Sequence, residues 1–135
     1  MVLTTNLLDI NLLAVLVAGI VHTVIGLIWF MPKFFGNAWV ELTGKEMKPA
    51  SQWIAAGLIG HQVMAFVLAV IVNLANVVNV VGGIFIGVLV RIGFVIPLEI
   101  GELIWEKIPI KLFMIRVGNQ LVGLSLAGSI LAVWQ

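Results

Sequence analysis

The residues able to do chemistry are few, and most lie where lipid would surround them. Arg91, Glu99 and Glu102 fall in an apolar run over 91–107 that also holds Pro97, and Arg116 follows in the next apolar run. A charge at bilayer depth costs several kcal/mol, so it is kept where it has a partner or a task. Counted at ~1.5 Å per residue from the polar connection at 106–111, Glu102 lies about 5 Å deep, Arg116 about 7 Å and Glu99 about 10 Å. Arg116 can therefore answer one of the two glutamates as an intramembrane ion pair. The sharper alternative is a proton- or ion-responsive carboxylate. Arg91 is nearly central and about 12 Å along an ideal helix from Glu99, which leaves its partner open among Asn or Gln side chains, helix-end carbonyls or another chain.

A second polar group sits deeper. His22, His61, Gln62, Asn119 and Gln120 fall near one level, with Arg91 close to it. Together they would form a polar layer, held by interhelical hydrogen bonds of about 1 kcal/mol each or surrounding a wet pathway or small-ligand pocket. Two histidines and Glu99 also have the donor chemistry of a zinc or iron site. No HExxH or ExxH spacing brings them together, however, and we expect no metal and no cofactor. No nucleophile–base pair or phosphate loop is present either, which points away from catalysis.

What must position these groups is a membrane fold. Of the 135 residues, 62% are hydrophobic and 10% charged, against roughly 25% charged in soluble domains. Such a chain cannot cover itself with water-compatible surface, and the lipid bilayer is its expected partner. The net charge of +1 and the lack of a basic patch give nucleic acid no electrostatic handle. There are no cysteines, hence no disulfide, thiolate catalysis or cysteine-bound metal. The first apolar run lacks an N-terminal Lys or Arg and exceeds the roughly 7–15 residues of a signal-peptide core, so it reads as a retained span.

The pattern predicts one all-α domain over 1–135, a polytopic four-helix bundle with spans at about 10–31, 53–73, 83–105 and 112–134. Asn6 and Asp9 open the first span and Pro32 ends it; each span has about the 20 residues a hydrocarbon core requires. Its seam reads Leu12, Val15, Gly19, His22, Gly26 and Trp29, small and polar residues that let a neighbouring helix approach closely. Loop 32–52 carries a possible interfacial helix at 34–42. Ser51 is a candidate N-cap for the second span, whose inward face is Gly57, His61, Ala65 and Ala69. Asn73, Asn76, Asn79 and Gly82-Gly83 make a tight hairpin. In the third span Gly83, Gly87 and Arg91 share a face, and Glu102 returns to within about 20° of it on an ideal helix. Pro97 removes a hydrogen bond to the Gly93 carbonyl and predicts a kink. The fourth span carries Arg116, Asn119, Gln120, Gly123 and Ala127 on one stripe.

All five lysines lie in loops 32–52 and 106–111, which the positive-inside rule places in the cytoplasm, with both termini outside. Trp29, Trp53, Trp105 and Trp134 at the span ends read as interfacial belts.

With the spans in place, the chain resembles the prokaryotic membrane family called domain of unknown function 1761. The resemblance rests on Trp29-Phe30-Met31-Pro32 with Phe35-Gly36 and Trp39, on Gly93-Phe94 and Pro97, and on Lys111-Leu112-Phe113 leading to Gly118 and Gly128. It implies a small four-helix protein of the prokaryotic inner membrane and supplies no activity, ligand or catalytic residue. Glu99, Glu102 and Arg116 are more charged than that pattern implies. The leading functional expectation is a non-catalytic structural or accessory component, working as a homo-oligomer or with other membrane subunits. The alternative is a small channel or transporter using His22, His61, Arg91, Glu99, Asn119 and Gln120. Gly83-x-x-x-Gly87 fits either a homodimer seam or close packing within one chain.

Overall fold

The computed structural model describes residues 9–48 and 50–135, and every element among them is helical. In chain order these are α1 (Leu12–Trp29), α2 (Gly36–Thr43), α3 (Ser51–Leu74), α4 (Val80–Val90), a π-helical segment (Arg91–Val95), α5 (Ile96–Trp105) and α6 (Ile110–Val133). The stretch Val80–Trp105 runs as one long apolar rod, so four helical rods are long and apolar enough to span a membrane.

Local chemistry sets the ends. Asn11 caps α1, its side-chain oxygen accepting from the Leu13 and Ala14 amides at 3.0 and 3.1 Å. Two donors that a helix start leaves orphaned are thereby satisfied. Asp9 lies just outside this cap, and the expected role of Asn6 falls outside the described residues. The short loop helix begins at Gly36, and Gly44 ends it at φ 67°, a left-handed turn that glycine adopts without strain. Ser51 does not cap α3: the helix starts on Ser51 itself, after extended Ala50, and no side chain takes the capping bond. Asn76, at φ 52°, turns the chain between α3 and α4, and Asn79 caps α4 by accepting from the Gly82 amide at 2.8 Å.

α6 is the central helix. It packs on α1, α3 and α4, and it is the least apolar of the four rods and the most buried. A span surrounded by protein can carry Asn119, Gln120 and Arg116 because its neighbours, not lipid, must accommodate them. Its contact with α4 is backbone to backbone. A Cβ on Gly83 would strike the Gly128 carbonyl, one on Gly87 the Leu124 carbonyl, and one on Gly128 the Gly83 carbonyl. The Gly83-x-x-x-Gly87 motif is thus used up inside the chain, where small residues allow the close approach that holds helices together in lipid.

The apolar core is lopsided. Ala14, Ala18, Ala65, Leu68, Leu124 and Ala127 belong to one buried cluster near the hairpin and the termini. Toward the two loops the rods separate. Residues 51–60 of α3 are all exposed, and α5 buries none of its residues. The outward side chains there, among them Leu98, Ile104 and Trp105, are apolar as lipid contact demands.

Candidate functional site

The third rod contains the largest departure from the ideal-helix reading. In place of a simple proline kink, the chain forms five π-helical residues, Arg91–Val95, ending two positions before Pro97. The Ile96 amide bonds the Arg91 carbonyl, five residues back. Pro97 has no N–H to give and its ring crowds the carbonyl four residues earlier, so a wider turn relieves both problems. A π-turn absorbs one extra residue, and this changes which charges align. On an ideal α-helix, residues eight apart differ by about 80° and residues seven apart by about 20°. With one residue absorbed, Arg91 and Glu99 behave as a pair seven apart. Glu102 moves the other way, from about 20° off Arg91 to about 80°, toward α6.

The contacts follow this geometry. Arg91 Nη2 donates to Glu99 Oε2 at 2.5 Å, with the arginine side chain 0% exposed. Arg116 Nη1 donates to Glu102 Oε2, in a pair about one-third exposed on each side (36% and 34%). Sequence spacing had placed both glutamates within reach of Arg116; Glu99 instead belongs to Arg91. Arg91 has further donors, and its Nε and Nη1 have no hydrogen-bond partner among the described residues.

The histidine layer lies on α1, α3 and α6. The His22 and His61 rings stack with centroids 4.1 Å apart. His22 Nε2 lies 3.0 Å from Gln120 Oε1, so His22 donates there, since an amide oxygen only accepts. Gly123 makes this possible: a Cβ on it would collide with the His22 ring. Thr23 completes the layer. Its hydroxyl donates to the Gly19 carbonyl at 3.0 Å and its oxygen lies 2.9 Å from His61 Nδ1. The hydroxyl proton being spent on Gly19, His61 Nδ1–H donates to Thr23, and Nε2 of the neutral ring keeps its lone pair. Gln62 packs over Gly19 and donates to the Leu16 carbonyl at 3.2 Å. Thr23 was the partner that spacing did not single out; its only signal was a hydroxyl beside His22 in an otherwise aliphatic run.

Trp29 is not simply an interfacial anchor. Its ring lies over Gly118 and stacks on Phe35, and its indole N–H donates to the Ile115 carbonyl at 3.1 Å. It locks the loop-side end of α1 to α6. With Glu99 held by Arg91, the two histidines have no carboxylate beside them, and among the described residues no three His, Asp or Glu side chains come together to hold a metal.

Where α3 leaves the bundle, a cavity of about 450 Å³ opens between α1, α3 and α6. Leu27, Phe30, Met47, Trp53 and Ile54 form its apolar mouth, Gly26 and Gly57 its narrow walls, and Thr23, His61, Asn119 and Gln120 its polar end. Asn119 is 7% exposed, and its Oδ1 has no hydrogen-bond partner among the described residues. A second space of about 220 Å³, lined by Val63, Met64, Val67, Val90, Val95 and others between α3 and the third rod, is apolar throughout. In shape and lining the first cavity matches small-molecule sites, which are mostly apolar clefts with a few convergent polar groups.

A family model, described as protein of unknown function (DUF1761), matches residues 13–132. The chain belongs to that family. The matched residues of this DUF1761 protein take in all four rods, the π-segment and the cavity. Comparison with curated proteins and with solved structures gives no match.

Proposed function

We propose that this protein binds a small amphipathic molecule in the α1–α3–α6 cavity, as the receptor or carrier step of a membrane process. One observation carries the reading: a cavity of ligand size, about 450 Å³, ends on the polar His61–Thr23–Asn119–Gln120 layer. Beyond that layer the Ala- and Leu-rich core is packed, so the cavity is a vestibule with a floor. That supports binding from one side over a continuous channel. By the lysine distribution, loops 32–52 and 106–111 face the cytoplasm and both termini the outside. The vestibule then opens toward the cytoplasmic leaflet of the inner membrane.

Two experiments test this. Gly57 faces open space within the cavity wall, so Gly57→Trp fills the vestibule without disturbing the core. Wild-type protein in native-lipid nanodiscs should release a stoichiometric small-molecule adduct in native mass spectrometry, and Gly57→Trp should not. Identical spectra from the two proteins would remove the proposal. Because the chain has no cysteine, single cysteines report topology directly. An impermeant maleimide on intact cells should label Gln135→Cys and spare Lys45→Cys.

A second reading, an accessory subunit of an oligomer or larger complex, draws support from α5, which buries none of its ten residues within the chain. Its measure is the mass of the native assembly. A monomer that co-purifies with nothing else would count against it.

A further inference from the structure

Resting on the vestibule reading, we infer the ligand class: an uncharged amphiphile whose head carries a hydroxyl, as in a long-chain alcohol. The polar end of the cavity decides the head. Asn119 Oδ1, though unpartnered among the described residues, is shut off from the cavity surface. The acceptor a ligand meets there is His61, which lines the same end and whose neutral ring keeps a lone pair at Nε2 once Nδ1–H is given to Thr23. A head that only accepts, such as an ether or a carboxylate, leaves His61 Nε2 without a partner. A hydroxyl donates to it and can accept from the amide N–H groups of Asn119 or Gln120.

Charge is excluded by the lining. Among the described residues, no Asp, Glu, Lys or Arg lines the cavity, and the intramembrane arginines Arg91 and Arg116 are each held by a glutamate of the third rod. A carboxylate or ammonium head would lose its hydration with no counter-ion to offset the loss. The mouth decides the rest of the molecule: Leu27, Phe30, Met47, Trp53 and Ile54 offer apolar and aromatic surface to a tail.

Trp53 at the mouth supplies the readout. The protein is placed in phosphatidylcholine nanodiscs and titrated with dibromoundecanol, with its methyl ether and with dibromoundecanoate, each a collisional quencher of tryptophan. The alcohol should give a saturable component of quenching that vanishes in Trp53→Phe. The ether and the carboxylate should bind about tenfold more weakly, the order expected when a buried acceptor is left unpaired. In His61→Phe the alcohol should lose that advantage over the ether. The comparison of alcohol with ether on wild-type protein needs no variant, so it stands even if His61→Phe does not fold. Saturable quenching by alcohol and ether alike would overturn the ligand class and leave the vestibule in place. Quenching that is never saturable, and is unchanged in Trp53→Phe, would overturn both.

Discussion

Removing the carboxylate of Glu99 should be among the most damaging single changes in this protein, and removing Arg91 with it should undo most of the damage. The Arg91 side chain is fully buried and bonds Glu99 at 2.5 Å. Taking charge centres about 4 Å apart at an effective dielectric near 20, their attraction is about 4 kcal/mol. Desolvating the two ions costs several kcal/mol each, so the intact pair is close to break-even. Glu99→Leu alone leaves a buried guanidinium uncompensated, for an expected loss of about 3–5 kcal/mol. The double variant Arg91→Leu/Glu99→Leu removes both ions and also the two Arg91 nitrogens that lack partners, each of which carries a penalty of about 1–3 kcal/mol. Its stability should return to within about 1 kcal/mol of wild type or exceed it. Steric trapping in bicelles measures all corners of the cycle reversibly. Arg116 and Glu102, each about one-third exposed and nearer the loop ends of their rods, should show a weaker coupling than the buried Arg91–Glu99 pair. If the double Arg91/Glu99 variant is no more stable than Glu99→Leu, the buried-pair reasoning is wrong.

Other outcomes follow from the packing. Gly128→Ala places a methyl group against the Gly83 carbonyl and should cost about 1–3 kcal/mol or more, whereas Gly60→Ala meets nothing within 4 Å and should be neutral or stabilising by up to about 1 kcal/mol; thermal melts in detergent distinguish them. Deleting Phe94 together with Pro97→Ala should convert the π-segment to α-helix and leave Arg91 and Glu99 seven residues apart, retaining the pair. That variant should keep a strong Arg91–Glu99 coupling in the same double-mutant cycle, and loss of the coupling would show that the bulge does more than set register. Thr23→Val should cost about 1 kcal/mol and free His61 Nδ1, so nitrogen NMR should show a shift from the Nδ1–H tautomer toward a mixture. An unchanged His61 spectrum would contradict the tautomer assigned through Gly19.

Much of the architecture was legible because lipid and helix geometry leave little freedom. A run of apolar residues near 20 long has only one way to satisfy its backbone in a bilayer, so the four rods and the hairpin could be read to within a few residues. The small-residue faces were legible for a related reason. Where helices meet without a hydrophobic drive, close approach selects glycine and alanine, and Gly19, Gly83, Gly87 and Gly123 all lie at contacts. Other small residues carried the same signature without the same use: Gly57 lines the vestibule and Gly60 and Gly101 meet nothing. Spacing says which residues share a face, but not where two rods part company.

The pairing of the charges shows where an ideal period fails. Pro97 was visible, and so was the hydrogen bond it forfeits. A proline can be absorbed by a bend, which preserves the residue count per turn, or by a π-turn, which does not, and both relieve the same clash. The bend leaves Glu102 near the face of Arg91 and Glu99 about 80° away; the π-turn exchanges them. One absorbed residue thus brings Glu99 round to Arg91 and turns Glu102 toward Arg116. What favours the π-turn is the charge itself: Arg91 sits in a fully buried position beside α6, where an arginine facing no carboxylate would carry a penalty of several kcal/mol, larger than the cost of a single widened turn. The bulge, the proline and the ion pair are therefore one device. Its consequence is that α5 is aimed away from the core and joined to α6 by the one-third-exposed Arg116–Glu102 pair, while the buried Arg91–Glu99 pair fixes the register from which it departs.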